Sequence, residues 1–175
     1  MQELAFDYNA MIEALDARRV EHGLGWTELA GELWAQSADL NARLADNCLC
    51  PGALVRNAQQ RGPMSCQYAL IMLRWLDRAP ERFLIGPVVD VGETRLPAAG
   101  PDARLRWDLS ELYAALDSRR RDESLTWVAL AAEFGCTPSR LTNLRTARLA
   151  DLELTMRVSQ RLAEPAASFI HPARW

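Results

Sequence analysis

Apolar residues in the C-terminal half of the chain recur every three or four positions, which is the spacing of one face of an α-helix. Leu109, Leu112 and Leu116 follow this spacing and predict a first helix over about 108–121. Thr126 then precedes a second run of apolar positions, and threonine is a residue type that caps helix N-termini. The pattern predicts two short helices joined by a turn.

Two more helices are predicted beyond Gly135, because glycine favours the position just after a helix. Thr137 and Pro138 provide an N-cap followed by proline at the first helical position, so a third helix should run to about Arg145. Asp151 provides the N-cap of a fourth helix. Four or five short helices predict a small all-α domain.

The same pattern occurs earlier in the chain, which indicates an internal duplication. Residues 6–33 align without a gap to residues 107–134, and 11 of these 28 positions are identical. The shared core reads ALD-x-RR…L-x-W-x-x-LA-x-E. We expect Trp26 and Trp127, which occupy the same place in both copies, to lie in the hydrophobic cores. The repeated arginines are expected on the first helix of each copy as solvated or ion-paired residues: Arg18, Arg19, Arg119 and Arg120.

The first copy is longer than the second by about 15 residues, which we place at 34–48. With this placement the segment from Cys50-Pro51 to Asn57 matches the segment from Thr137-Pro138 to Asn143. The apolar positions of the insert predict another helix or an extension of the second one. A rival alignment matches residues 37–44 to residues 138–145 and moves the insert downstream.

Glycine and proline residues divide the chain into two parts. They concentrate in residues 85–106, which composition predicts to be a linker. The predicted domains are therefore 1–84, which carries the helical insert near 34–48, and 107–175.

Charge and hydropathy argue against two classes of protein, general polyanion binders and membrane-spanning proteins. The net charge of −3 argues weakly against a general polyanion binder, but the charge is uneven: residues 1–90 sum to −4 and residues 91–175 to +1. All 20 basic residues are arginine, so any anion contact uses a planar guanidinium with five donors. No apolar run is long enough to span a membrane, and the N-terminus does not resemble a signal peptide, so we expect a cytoplasmic protein.

Neither a metal site nor an enzyme site is predicted. The cysteines and the two histidines have no recognised zinc spacing, so we expect free thiols and no metal or other cofactor. The chain has no glycine-rich phosphate loop, no HExxH and no Gly-x-Ser-x-Gly, so it is not expected to be an enzyme. The four cysteines are Cys48, Cys50, Cys66 and Cys136.

Residues 125–144 read L-x-W-x-x-LA-x-E-F-G-C-T-P-S-R-L-T-N-L, and this segment resembles the lambda-repressor-like (XRE-type) helix-turn-helix family. The resemblance implies an all-α protein of two tandem lambda-repressor-like helix-turn-helix bundles, each of four to six short helices, joined by the Pro/Gly linker. In this family the third helix enters the major groove of double-stranded DNA. The resemblance thus implies a sequence-specific DNA-binding transcriptional regulator of a bacterial or phage-like cytoplasm.

The resemblance also implies roles for residues of the second copy. The positions expected on the exposed side of the third helix are Ser139, Arg140, Thr142, Asn143 and Arg145. Arg140 is suited to guanine and Asn143 to adenine, since these side chains form paired hydrogen bonds with those bases. The residues placed for phosphate oxygens are Thr126, Thr137 and Arg148.

The first copy departs from the family pattern, and whether it binds DNA is left open. Its cap position is Cys50, a poor substitute for serine or threonine, and the insert interrupts the usual turn. Both copies also place tryptophan near the start of helix two, where the family usually has a polar residue. The polar residues that the first copy would present to DNA are Arg56, Asn57, Gln59, Gln60 and Arg61.

A second class of function fits the same pattern. Degenerate helix-turn-helix domains also serve as protein-interaction or dimerisation modules, for example in an antitoxin-like partner or a co-regulator. The sequence leaves open whether the chain forms a homodimer or binds another protein.

Overall fold

The computed structural model describes residues 3–44 and 51–175. These residues form a mostly helical protein with two small antiparallel sheets, so the all-α prediction is confirmed in its broad form. The strands were not predicted from the sequence, because segments of two to four residues are too short to show an alternating pattern. None of the described helices is both long enough and apolar enough to cross a bilayer.

The first repeat contains five helices and one sheet among its described residues. Its elements are β1 (Ala5–Phe6), α1 (Tyr8–Glu21), α2 (Trp26–Ala35), α3 (Ala38–Arg43), α4 (Pro51–Gln60), α5 (Cys66–Leu76), a 3₁₀ turn (Pro80–Phe83) and β2 (Leu84–Ile85). Helix α3 lies within residues 34–48, where the insert is predicted, and the second repeat has one α-helix fewer among the described residues. Cys48 and Cys50 lie outside the described residues.

The second repeat has the same order of elements without the inserted helix. Its elements are β3 (Arg104–Trp107), α6 (Leu109–Asp122), α7 (Trp127–Glu133), α8 (Pro138–Thr142), a 3₁₀ turn (Asn143–Arg145), α9 (Leu152–Leu162), a second 3₁₀ turn (Ala166–Phe169) and β4 (Ile170–Ala173). The predicted third helix is thus a short α-helix that continues as a 3₁₀ turn. Gly135 has a φ of +59°, which agrees with its predicted place after the second helix.

The beginning of each repeat is held in the same way. Asp7 and Asp108 cap α1 and α6, and each side chain accepts a hydrogen bond from the backbone N–H three residues later, at 2.9 Å and 2.8 Å. The strand pairs have equivalent registers, with Phe6 opposite Leu84 and Trp107 opposite Ile170. The duplication therefore extends from sequence to backbone geometry.

A shared set of side chains fixes the turn between the first two helices of each repeat. In the second repeat Arg120 bonds to Asp117 at 2.7 Å and donates to the carbonyl of Leu125 at 2.7 Å. The same guanidinium lies 4.8 Å from the ring centroid of Trp127. We call this arrangement the arginine clamp, and it explains why these four residues recur at fixed spacing.

The first repeat has the same arginine clamp. Arg19 pairs with Asp16 at 2.7 Å, donates to the carbonyl of Leu24 and lies 4.7 Å from the ring centroid of Trp26. The ion-paired role expected for the repeated arginines is therefore confirmed for Arg19 and for its equivalent in the second repeat.

The core placement predicted for the two tryptophans is wrong in part. Trp26 and Trp127 are only partly buried and pack against the edge of the core, because one ring face is covered by a guanidinium instead of apolar side chains. Trp127 also stacks on Tyr113, with ring centroids 5.4 Å apart.

The two repeats are joined by reciprocal contacts. Ser65 and Asp151, the N-caps of α5 and α9, face each other in an antiparallel bridge. Around this bridge the N–H of Cys66 donates to the carbonyl of Ala150 at 2.8 Å, and the N–H of Leu152 donates to the carbonyl of Met64 at 3.1 Å. Because equivalent groups exchange equivalent bonds, the repeats are related by an approximate twofold axis through this joint.

The predicted linker is shorter than expected and is not a free tether. Its first residue, Ile85, belongs to β2 and its last three belong to β3. Two contacts tie the remaining residues to the helices: Arg74 of α5 donates to the carbonyl of Ala99 at 2.7 Å, and Val89 donates its N–H to Oε1 of Gln160 at 2.7 Å. The buried apolar residues of both repeats form one continuous core.

Candidate nucleic-acid interface

The segment that follows α7 presents one apolar face and one polar face. Leu141 and Leu144 are buried and fasten the segment to the core. The opposite side carries exposed polar residues, all of which were predicted to contact DNA: Thr137, Ser139, Arg140, Asn143, Arg145 and Arg148. The apolar pair thus positions the polar face towards solvent.

Some of the predicted hydroxyl groups already have partners within the protein. The hydroxyls of Thr137 and Ser139 lie 3.2 Å apart and share a hydrogen bond. Thr142 is half-buried and its hydroxyl donates to the carbonyl of Ser139 at 3.4 Å, a long contact. Thr126 is exposed at the N-terminus of α7, where its Oγ1 accepts from the N–H of Ala129 at 3.1 Å. Thr142 is therefore less accessible than predicted, whereas the other three remain at the surface.

The arginines of this segment differ from the other arginines of the second repeat. The guanidinium groups of Arg140, Arg145 and Arg148 form no hydrogen bond or ion pair with any residue in the described ranges 3–44 and 51–175. Every other arginine from residue 104 onward has a partner: Arg104, Arg106, Arg119, Arg120, Arg121, Arg157, Arg161 and Arg174.

No acidic residue occurs between positions 136 and 150. The three unpaired guanidiniums therefore give the segment a positive surface within a chain whose net charge is −3. A second group of exposed arginines without ion pairs to described residues, Arg78, Arg82 and Arg95, differs in this respect. It surrounds a shallow pocket that also contains Asp77 and Glu93, so acidic groups offset its charge.

The first repeat presents fewer free side chains at the equivalent place. Arg56, Gln59 and Gln60 are exposed on α4 and bond to no other described side chain. Asn57 is half-buried and donates to the carbonyl four residues before it at 2.8 Å. Arg61 lies beyond the end of α4 with a φ of +50° and pairs with an acid of α1 at 3.7 Å. Two of the five predicted residues are thus already engaged within the protein.

Both candidate segments end close to the joint between the repeats. Gln60 lies five residues before Ser65, and Arg145 lies six residues before Asp151. At ~3.4 Å per residue the two segments therefore end within roughly 17 Å and 20 Å of the joint. Since the joint lies on the approximate twofold axis, α4 and α8 occupy equivalent positions on either side of it.

Two exposed apolar side chains of the second repeat, one on α7 and one next to Arg148, were not predicted as site residues. Val128 on α7 is 69% exposed, and Leu149, just beyond Arg148, is 52% exposed. Val128 directly follows Trp127, whose departure from the pattern of the resembling family was the only related signal in the sequence. Exposed aliphatic groups beside a basic segment can contact thymine methyls or apolar side chains of a protein.

The described cysteines are not reactive thiols. Burial raises the pKa of Cys66 to about 12, and burial also raises the pKa of Cys136, so both remain protonated at neutral pH. Among the described residues, ligand atoms of Asp108, Glu111 and His171 approach one another within 4.8 Å. All three are exposed at the N-terminus of α6, where the helix dipole disfavours a cation, so this group makes a poor metal site.

Comparison of the chain with protein-family models, with curated proteins and with solved structures finds no match.

Proposed function

We propose that this protein binds double-stranded DNA sequence-specifically as a transcriptional regulator, and that residues 136–150 form its main DNA-contacting segment. The observation that carries the proposal is the cluster of Arg140, Arg145 and Arg148, which are exposed and unpaired within the described chain. Elsewhere in the second repeat the arginines have partners within the protein. Free guanidiniums on a segment without acidic residues suit phosphates and base edges.

Each side chain has a proposed role. Arg140 and Asn143 are adjacent on the exposed face of α8 and the turn after it, so they are proposed to read guanine and adenine. Arg145 and Arg148 extend the positive surface towards the joint and are proposed to bind phosphates. The exposed hydroxyls of Thr126 and Thr137 are proposed to accompany them on the DNA backbone.

The twofold arrangement supports a bipartite DNA site. Both candidate segments end within reach of the joint, and the summed reach is compatible with half-sites ~34 Å apart. The two segments carry different side chains, so the half-sites should differ in sequence. A single chain would then bind two half-sites, as a dimeric regulator does with two chains. The first repeat should make the weaker contact, because Asn57 and Arg61 already bond within the protein.

The test compares two triple variants that remove the same charge. One replaces Arg140, Arg145 and Arg148 with alanine, and the control replaces Arg78, Arg82 and Arg95 with alanine. Affinity is measured by fluorescence anisotropy on a labelled duplex selected from a random library, over a series of salt concentrations. The first variant should bind at least 100-fold more weakly, and its slope of log K against log salt should become shallower by about 0.9 for each phosphate that it no longer neutralises. The control should bind nearly as the unmodified protein does.

Equal losses in both variants would show that only net charge matters, and would contradict a defined DNA interface. Saturable binding whose affinity does not change with ionic strength would also contradict it.

The second candidate function is a protein-interaction module, which the exposed Val128 and Leu149 favour. If the unmodified protein binds no selected duplex, this second function replaces the first.

A further inference from the structure

The approximate twofold axis generates two equivalent grooves. Residues 96–100 cover one of them, whereas the other keeps the larger open volume. Each groove lies between the last long helix of one repeat and the first strand region of the other. The positions that line both grooves are related by the alignment of the repeats: Leu33 and Phe134, Ile71 and Arg157, Arg74 and Gln160, Asp77 and Ala163, Arg104 and Glu3, Leu105 and Leu4. We call the groove at Arg74 the occupied groove and the groove at Gln160 the open groove.

The occupied groove holds residues 96–100 of the chain itself, with the sequence Leu-Pro-Ala-Ala-Gly. Arg74 donates to the carbonyls of Ala99 at 2.7 Å and Gly100 at 3.1 Å. Leu96 and Ala99 pack against the hydrophobic core. The occupant is thus an extended segment held by backbone carbonyls and small apolar side chains.

The open groove has a volume of about 680 Å³ and contains a buried donor without an acceptor. Gln160, which replaces Arg74 at the equivalent position, is only 4% exposed. Its Oε1 accepts from the N–H of Val89, whereas its Nε2 has no partner among the described residues. A buried amide donor left unpaired is costly, so its retention here points to an acceptor that binds in the groove.

The charges around the open groove are balanced. Arg157 pairs with Glu3 at 2.9 Å, and Arg161 pairs with Glu133 at 2.9 Å. The remaining lining is apolar and includes Leu4, Pro87, Val89, Phe134 and Ala163. A ligand for this groove should therefore be uncharged, since a charged one would have to break an existing ion pair.

We propose that the open groove docks an extended, uncharged peptide segment of a partner protein, with small apolar side chains and a backbone carbonyl that accepts from Gln160 Nε2. The occupied groove shows which chemistry fits this shape, because the equivalent backbone positions there enclose Leu-Pro-Ala-Ala-Gly. This docking site is separate from residues 136–150, so it does not depend on the proposed DNA binding.

The probe is a fluorescein-labelled, C-terminally amidated peptide of residues 96–101, Leu-Pro-Ala-Ala-Gly-Pro. It should bind the full-length protein saturably in fluorescence anisotropy. Gln160→Leu removes the donor at similar volume and should weaken binding roughly five-fold, as expected for the removal of one hydrogen bond. Val89→Trp places an indole at the groove and should weaken binding at least as much. The control Glu21→Ala changes an exposed residue of α1 outside both proposed binding surfaces and should bind the peptide unchanged.

Amide chemical shifts in the ¹⁵N-labelled protein locate the bound peptide. Shifts that concentrate at Val89, Phe134 and Gln160 support the proposal, whereas shifts confined to the residues around Arg74 show exchange at the occupied groove and overturn it. Absence of saturable binding also overturns it, as does equal affinity of the unmodified protein and Val89→Trp. If Gln160→Leu strongly lowers the melting temperature of the protein, its loss of binding no longer reports on the groove, and the peptide affinity of Val89→Trp tests the proposal instead.

Discussion

The two repeats agree in the turn that joins their first two helices and differ in the segment that follows it. Arg19 and Arg120 form the same arginine clamp with an aspartate, a carbonyl and a tryptophan. Beyond this clamp the second repeat continues directly to α8, whereas the first inserts α3 before α4. The groups that hold helices together have been kept, and the groups that face solvent have changed. Divergence of this kind is expected when two copies share a fold but contact different partners or different base pairs.

The largest expected effect tests whether the two repeats form one folding unit. Leu15 and Leu116 occupy equivalent positions and are both fully buried in the continuous core. Leu15→Ala and Leu116→Ala should each lower the free energy of unfolding by about 2–5 kcal/mol. Because the core is shared, either variant should shift one cooperative transition of the whole chain. Differential scanning calorimetry that resolves two transitions, each sensitive to only one variant, would contradict this expectation.

A somewhat smaller effect is expected from the tryptophans of the two arginine clamps. Trp127 stacks on Tyr113 in addition to its arginine, whereas Trp26 has no aromatic ring contact among the described residues. Since both rings are partly exposed, Trp127→Ala should cost roughly 2–3 kcal/mol, less than a fully buried tryptophan, and Trp26→Ala should cost less again. Urea unfolding measures both values. A larger loss at Trp26 would show that the aromatic stack contributes little.

Much of the local structure could be predicted from the sequence, because caps and apolar spacing are local signals. Thr126 and Asp151 cap α7 and α9 as expected, and each side chain accepts a backbone hydrogen bond. Gly135 follows α7 with a positive φ. The duplication itself predicted that the first two helices would be equivalent, and the arginine clamp gives the physical reason for the repeated residues.

The contacts between the repeats could not be predicted, because they depend on positions far apart in the chain. Nothing in the pattern around Ser65 or Asp151 indicates that these two caps face each other. The engagement of Asn57 and Arg61 within the protein was also hidden, since sequence shows polarity but not hydrogen-bond partners. The open groove depends on the same unpredicted joint, and so no sequence signal could have located Gln160.

Arginine-to-alanine substitutions in the candidate DNA-contacting segments of the two repeats should lower the affinity for DNA by unequal amounts. Arg140→Ala should weaken binding to the selected duplex by about 1–3 kcal/mol and relax the sequence preference. Arg56→Ala, on the equivalent helix of the first repeat, should cost less, because fewer free side chains accompany it there. Anisotropy titrations on matched and single-mismatch duplexes measure both effects. Equal large losses would show that both repeats read DNA, and an unchanged affinity for Arg140→Ala would remove the main proposed contact.

The smallest expected effect concerns Glu81, a carboxyl group of the first repeat that contacts the second repeat. Glu81 accepts a hydrogen bond from the N–H of Ala166 at 2.7 Å through Oε1, while its Oε2 is buried without a partner among the described residues. The equivalent position in the second repeat is Ala167, which carries no charge. Burial raises the pKa of Glu81 above its ordinary value, and the hydrogen bond from Ala166 opposes this only in part.

The raised pKa of Glu81 fixes the sign of the pH dependence. The folded state holds the carboxyl proton more tightly than the unfolded state, so this stabilising contribution is complete at low pH and is lost as the pH rises through the folded-state pKa. Glu81→Gln keeps the acceptor for Ala166 and removes the buried charge, so it should raise the melting temperature at pH 7. At pH 4, where the native carboxyl is protonated, the gain should shrink or vanish. The matched control Glu164→Gln changes an exposed glutamate and should show no such dependence on pH. A gain of equal size at both pH values would instead attribute the effect to packing, and a loss at pH 7 would show that the charged carboxylate stabilises the contact between the repeats.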